Sequence, residues 1–341
     1  MLKKKHYLLF LIFALLLCGF FLLDLISGQV SIPLNEVFKI IFGQETTKST
    51  WEYIIINYRL PKAITAVLVG MGLSVSGLLM QTLFRNPLAG PYVLGLSSGS
   101  SLGVAFVILS AGILPSFLNE FILSPYGIVL ASCLGSFLVV LAILVVAQRL
   151  RNTMSLLIVG LMFGSFAGAV VNVMSYFSSA EQLQKFTFWS MGNLGNLPWS
   201  SIGILGLAVS VGLLLSLLSI KSLDALLLGE NYAKSVGMNF KKVRFIIIIA
   251  TSILAGSITA FAGPIAFIGL AVPHISKLIF QTSNHKILFF STVLIGGILM
   301  LFCDIISQMP YLNTMLPINA ITSIIGAPVV IWLLMGKKNL Q

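Results

Sequence analysis

Acidic residues are scarce in this chain: nine Asp and Glu stand against twenty Lys and Arg. Charged residues of both signs make up only 9% of the sequence, where a soluble domain carries about 25%. That shortage excludes an ordinary water-exposed surface. Cysteine is also rare. Cys18, Cys133 and Cys303 each fall inside an apolar stretch, with neither metal-ligand spacing nor a disulfide framework, so they read as small buried hydrophobes. His6, His274 and His285 are scattered and form no HExxH pair, and no Walker A sequence occurs. The chain therefore lacks the motifs for zinc chemistry or for its own P-loop ATP hydrolysis, and no constellation supports an intramembrane enzyme. What it has in abundance is apolar sequence: 58% hydrophobic residues and a mean hydropathy of +1.05. This is the composition of a polytopic protein of the lipid bilayer.

The hydropathy pattern predicts an all-α fold with ten transmembrane spans, each needing about 20 apolar residues to cross roughly 30 Å of hydrocarbon. They lie near 7–27, 58–83, 91–112, 125–148, 153–178, 199–220, 243–262, 265–281, 286–308 and 319–336. The first apolar run is long for a signal peptide, and no small-residue cleavage site follows cleanly, so it reads as a retained helix. An even count places both termini on one side. If that side is the cytoplasm, fifteen Lys and Arg lie inside and five outside, which satisfies the positive-inside rule. The net charge of +11 is then loop charge and calls for no nucleic-acid partner. Asp24 and Asp304 are the acids within or beside spans, and both are expected near external ends within reach of water. The external stretch 28–57 reads either as a solvated linker or as a short interfacial helix.

The chain is organised around residues 59–103. Two cations flank a proline at Arg59, Pro61 and Lys62; an uncharged apolar run follows; then comes the break Arg85-Asn86-Pro87-Leu88-Ala89-Gly90-Pro91. Two prolines remove backbone donors, and Gly90 permits positive φ. Such a backbone survives at membrane depth only when protein or a water-lined cavity surrounds it. Gly70, Ser74 and Gly77 give the preceding helix a small-residue packing face. A similar break, Ala262-Gly263-Pro264, follows the seventh span. An inverted repeat of spans 2–5 and 7–10 would leave that trace.

This stretch resembles the signature of the FecCD family of ABC importer permeases, which carry ferric siderophores, haem or cobalamin into bacteria. The matching residues are Arg59-Leu60-Pro61, Gly70, Ser76-Gly77, Gln81, Arg85-Asn86-Pro87-Leu88-Ala89, Pro91, Leu94-Gly95 and Ser97-Ser98-Gly99. Further matches are Ala262-Gly263-Pro264-Ile265, Phe267-Ile268-Gly269-Leu270, Val272-Pro273-His274-Ile275, His285, Asp304, Leu316-Pro317, Thr322 and Ile325-Gly326-Ala327-Pro328. The chain departs from the family at Gln308, Met315 and Asn319, where Arg, Glu and Gly are usual. That departure puts one external docking contact in doubt.

The resemblance implies one permease domain over residues 1–341, multi-pass in the bacterial cell membrane (the inner membrane of a Gram-negative cell). Two ATPase subunits would bind inside and hold ATP-Mg, with no cofactor or metal on this chain. A solute-binding protein would dock outside, and a second permease copy or close relative would complete a central pathway. Asn86, Leu88, Thr153 and Met154 match the family's cytoplasmic gate. Leu228, Gly229, Glu230, Ala233, Val236 and Gly237, in the loop 221–242, match its ATPase-coupling element; by pattern alone that loop is an amphipathic surface segment with Ser222 as a cap and Gly229 as a stop. Arg59 and Lys62 match cations that meet carboxylates of the binding protein, with headgroup anchoring as the alternative. Gly160, Gly164 and Gly168 lie on one face of the fifth span and serve either the dimer axis or packing within one subunit. The expected cargo is an iron chelate, a ferric siderophore first, haem or cobalamin next. A self-sufficient secondary transporter is the competing class, and it would ordinarily carry ionisable groups nearer mid-membrane.

Overall fold

The computed structural model describes residues 4–110, 123–149, 153–195, 197–229, 232, 235, 237–308 and 315–335. Among these, helices account for every regular element. In chain order they are α1 (Lys4–Ile26), α2 (Leu34–Ile41), α3 (Ser49–Ile54), α4 (Leu60–Leu83), α5 (Leu96–Ile108), α6 (Pro125–Arg149) and α7 (Thr153–Tyr176). They continue as α8 (Ala180–Ser190), α9 (Trp199–Leu218), α10 (Ile220–Leu227), α11 (Phe240–Ala262), α12 (Ile268–Phe280), α13 (His285–Ser307) and α14 (Ile318–Met335). Seven helical stretches are long and apolar enough to cross a membrane, and three apolar helices are shorter. All ten expected spans therefore find a helix, within a few residues of the expected limits.

The second span departs most from expectation. A π-helical turn over Ile55–Arg59 joins α3 to α4, so the helix runs unbroken through Ser49–Leu83. The extra residue in that turn re-aims the side chains that follow. Helix α4 is the buried centre of the molecule. It packs against α9, α11, α12 and α13, while α1 lies outside and leans on α13. In the bilayer no hydrophobic gain draws two helices together, so close backbone approach decides. A Cβ added to Gly77 would sit 1.8 Å from the Gly269 carbonyl oxygen of α12, and one added to Gly70 would sit 2.2 Å from that of Gly296 on α13. The small-residue face read from the sequence is thus the face α4 presents to both neighbours.

The two chain breaks share a construction. After α4 the chain passes through a 3-10 turn over Pro91–Leu94, then Gly95 at φ 72°, and enters α5. After α11 it passes Gly263-Pro264, then Phe267 at φ 66°, and enters α12. The positive φ falls on Gly95 and not on Gly90, whose φ is −88°. Helices α5 and α12 each have 13 residues, about 20 Å of rise, so irregular backbone makes up the rest of each apolar stretch. It is buried at Ala89, Gly90, Pro91 and Leu94, as irregular backbone at membrane depth must be.

The packing carries the same correspondence. Helix α4 packs on α12 and α13, and α11 packs on α5 and α6. Within each half, α5 touches α6 and α7, and α12 touches α13 and α14. Each half therefore inserts its first helix into the other half. The stretch left open between linker and interfacial helix contains α2, which buries Glu36, Val37 and Ile40 on one face, together with α3.

Candidate functional site

Helix α13 runs antiparallel to α4, and each end of the pair holds a polar cluster. At the end where α4 begins, Lys62 Nζ lies 3.0 Å from Asp304 Oδ1. The Gln308 amide donates to Asp304 Oδ2 at 2.8 Å and to Asp24 Oδ1 at 3.1 Å. The Arg59 guanidinium donates to the carbonyls of Leu25, Ile26 and Val30, satisfying the orphan carbonyls where α1 stops. Asp24 and Asp304 are each 1% exposed, Arg59 7% and Lys62 8%.

One sequence expectation changes here: both acids are buried, although Lys62 and Asp304 also line a hollow of about 420 Å³ that opens between α4, α13 and Met315–Ile318. Arg59 and Lys62 are tied to α1 and α13. Gln308 bridges two buried carboxylates. The other departures separate: Asn319 Oδ1 accepts the Ala266 backbone N–H at 2.9 Å, whereas Met315 is 63% exposed. Only the grouping in space could have shown the cluster, because Gln308 and Asp24 are 284 residues apart.

At the opposite, basic end, α10 is fastened to the bundle. Asp224 Oδ1 accepts the His285 backbone N–H at 2.9 Å and lies 2.8 Å from His285 Nδ1. His285 Nε2 lies 2.9 Å from Thr82 Oγ1 near the end of α4. Arg85, at φ 47°, donates to the Leu226 carbonyl at 2.7 Å. With Nδ1–H directed at the carboxylate, neutral His285 accepts from Thr82, whereas the imidazolium would donate to it while the Thr82 hydroxyl stays on the Leu78 carbonyl, 3.0 Å away. Either form keeps α10, α4 and α13 joined. Asp224, Thr82 and Arg85 were not singled out as site residues from the sequence. One of two acids in a basic loop, the other being Glu230, is the signal that could have drawn attention to Asp224.

Of the gate expectations, Asn86 and Leu88 sit beside this fastening, just beyond Arg85 in the chain. Asn86 Oδ1 accepts the Leu88 backbone N–H at 2.9 Å, closing an Asx turn. Leu88 is 45% exposed. One turn back, the Gln81 amide donates to the Leu270 carbonyl of α12 at 3.1 Å, tying the turn to the second chain break. Thr153 opens α7, and Met154, 49% exposed, follows it.

In the coupling loop, α10 begins before Ser222, so that serine is no cap. Gly229 has φ 122° and Gly237 φ 87°. A Cβ at Gly229 would lie 3.6 Å from an Arg85 guanidinium nitrogen. Leu227, Leu228 and Tyr232 are 48%, 67% and 50% exposed. Glu230, Ala233 and Val236 lie outside the described residues. On α7, a Cβ at Gly160 would meet the Val93 carbonyl at 2.4 Å, one at Gly164 would meet Ser98 Oγ at 3.3 Å, and one at Gly168 would meet nothing within 4 Å. The first two therefore pack inside the subunit against the first chain break, and only Gly168 faces outward.

Comparisons with known proteins agree over nearly the whole length. The model of the FecCD transport family matches residues 14–336. The hemin transport system permease of Yersinia pestis is 32% identical over 329 residues, covering 95% of this chain and 96% of that one. The vitamin B12 import system permease of Klebsiella pneumoniae is 33% identical over 326 residues, covering 95% and 92%. Among solved structures, an inward-facing conformation described as a metal-chelate type ABC transporter superposes with a TM-score of 0.83 at 26% identity, covering 96% of this chain and 98% of that one. PsaBC of Streptococcus pneumoniae, at 15% identity and a TM-score of 0.57, shares the fold.

Proposed function

The chain belongs to the FecCD transport family, a family of multi-pass ABC importer permeases, and from that premise we propose that it imports an iron chelate. A ferric siderophore is the first expectation, with haem and cobalamin as the nearest alternatives. The basic end faces the cytoplasm, where two ATPase subunits dock and bind ATP-Mg. A solute-binding protein delivers cargo at the other end, and two permease copies, or this chain and a close relative, enclose the pathway.

The observation that carries this reading is the construction of α10. A short helix at the basic end exposes Leu227 and Leu228 while Asp224, and Arg85 through the Leu226 carbonyl, fix it to α13 and α4. Exposed apolar side chains on a polar, charged surface mark a docking site. A helix fixed at several points transmits a partner's displacement instead of absorbing it. The Asn86–Leu88 turn, one residue beyond Arg85, is then the first element to feel ATPase closure. ATP and cargo each favour a different permease state, so the cycle is a population shift.

The test is copurification with an ATPase and a binding protein from the same cell, followed by ATP hydrolysis in proteoliposomes presented in turn with ferric siderophores, haem and cobalamin. Stimulation by an iron chelate is expected. ATPase-independent uptake would reject the importer reading, and stimulation by cobalamin alone would reject the cargo.

A further inference from the structure

Helices α6 and α11 leave an apolar groove of about 810 Å³ between them, lined along its length by residues such as Leu130, Phe137, Leu141 and Ile253. At the basic end it runs into a second hollow of about 390 Å³ lined by Gln148, Lys241 and Arg244. Leu144 and Phe245 belong to both, so the two are continuous. From Leu130 to Leu144 the groove follows about 21 Å of helix, more than the ~15 Å depth of one leaflet.

The two parts differ in chemistry. The long part is almost wholly apolar. The short part ends in cations, and neither α6 nor α11 carries an acidic residue. Arg244 is buried, donates to the Ala147 carbonyl and lies 5.8 Å from the Phe240 ring. Lys241 is exposed beside it. The first turn of α11 adds its own partial positive charge. A groove between α1 and α4, of about 490 Å³, has no such end: its lining is apolar throughout.

We propose that the α6–α11 groove binds an anionic phospholipid of the cytoplasmic leaflet. Its phosphate sits at Lys241 and Arg244, and one acyl chain lies along Phe137 and Leu141. Charge complementarity selects this occupant. A zwitterionic lipid gains less from a site whose charged lining, among the described residues, is cationic, and an apolar helix from a second copy would bring no charge to the exposed Lys241. The proposal does not depend on which cargo is carried.

The test reads a tryptophan placed at Phe245, 51% exposed and common to both parts. The full chain carrying Phe245→Trp is reconstituted in vesicles containing brominated phosphatidylglycerol or brominated phosphatidylcholine at equal mole fraction. Quenching is taken as the difference from the unmodified chain. The anionic lipid is expected to quench at a roughly five-fold lower mole fraction, the scale of one cation near a membrane surface. Lys241→Glu should bring the two lipids together, and raising salt to about 1 M should do the same without any substitution. Phe21→Trp, in the α1–α4 groove, should show no preference. Equal quenching by both lipids at position 245, or a preference that survives Lys241→Glu and salt, overturns the proposal. So does an absence of quenching by either lipid, which would mean that protein covers the groove.

Discussion

The two ends of the α4–α13 pair are built on opposite plans. At one end, Lys62, Asp304, Gln308 and Asp24 are almost wholly buried at the floor of a hollow and tie three spanning helices together. At the other, Asp224 keeps its side chain 39% exposed, and the element it holds, α10, has only eight residues. A buried cluster resists movement, because parting it leaves a poorly solvated charge without its partner. A half-open cluster can be reached, pushed and rearranged at little desolvation cost. The contrast assigns stability to one end and transmission to the other, and substitutions can test that division.

The largest effect is expected from Lys62→Ala. Removing one partner of a buried ion pair costs about 3–5 kcal/mol, so the yield of folded protein and its thermal midpoint should drop sharply. Replacing Lys62 and Asp304 together by Leu should recover much of the loss. If the single substitution melts like the unmodified protein, this end is not a clamp. At the opposite end, Asp224→Asn should leave the midpoint within about 1.5–3 kcal/mol of equivalent stability, the scale of one hydrogen bond to a charged group, but lower the cargo moved per ATP hydrolysed in the assembled importer. A fall in stability with unchanged coupling would reverse the assignment of the two ends.

Gly229→Val sharpens the same point. At φ 122° a β-branched residue is strained by about 1–3 kcal/mol. The chain should retain its helices yet show weaker ATPase copurification or weaker cargo-stimulated hydrolysis.

The smallest effect belongs to neither end. Glu36 on α2 accepts from Lys39 at 2.7 Å and from the Thr47 amide at 3.0 Å, and these bonds lower its pKa from 4.5 to about 2. A depressed carboxyl stabilises the fold fully above its unfolded value and loses that contribution as pH falls through the folded one. Hydrogen exchange at the Thr47 amide should therefore stay protected above pH 4.5 and lose protection between there and about pH 2.

The helices were legible because bilayer thickness imposes a length that composition reveals. The small-residue face of α4 was legible because Gly70, Ser74 and Gly77 follow helical spacing. What stayed hidden was partnership. Arg59 and Lys62 look like rim cations when counted along the chain, and only folding shows that α1 ends beside the π-helical turn and that Asp304 arrives from the far half. Hydropathy likewise marked α5 and α12 as full spans, because irregular and helical apolar backbone have the same composition. In the coupling loop the motif was visible, but Asp224 and Thr82, which hold it to His285, lie outside the motif.

The exchange of first helices between halves also governs how the molecule comes into being. Helix α4 leaves the ribosome about 200 residues before the α13 segment that carries Gly296, an interval of roughly 10–40 s at ordinary synthesis rates. Throughout that time Gly70 lacks its Gly296 partner, and α4 gains its neighbours only in turn, α9 first and then α11 and α12. Neither half is a foldable unit: a chain stopped after α7 holds a helix with no socket, and one begun at α11 holds a socket with no helix. Premature termination should therefore yield material for the membrane's quality-control proteases, not a smaller working channel.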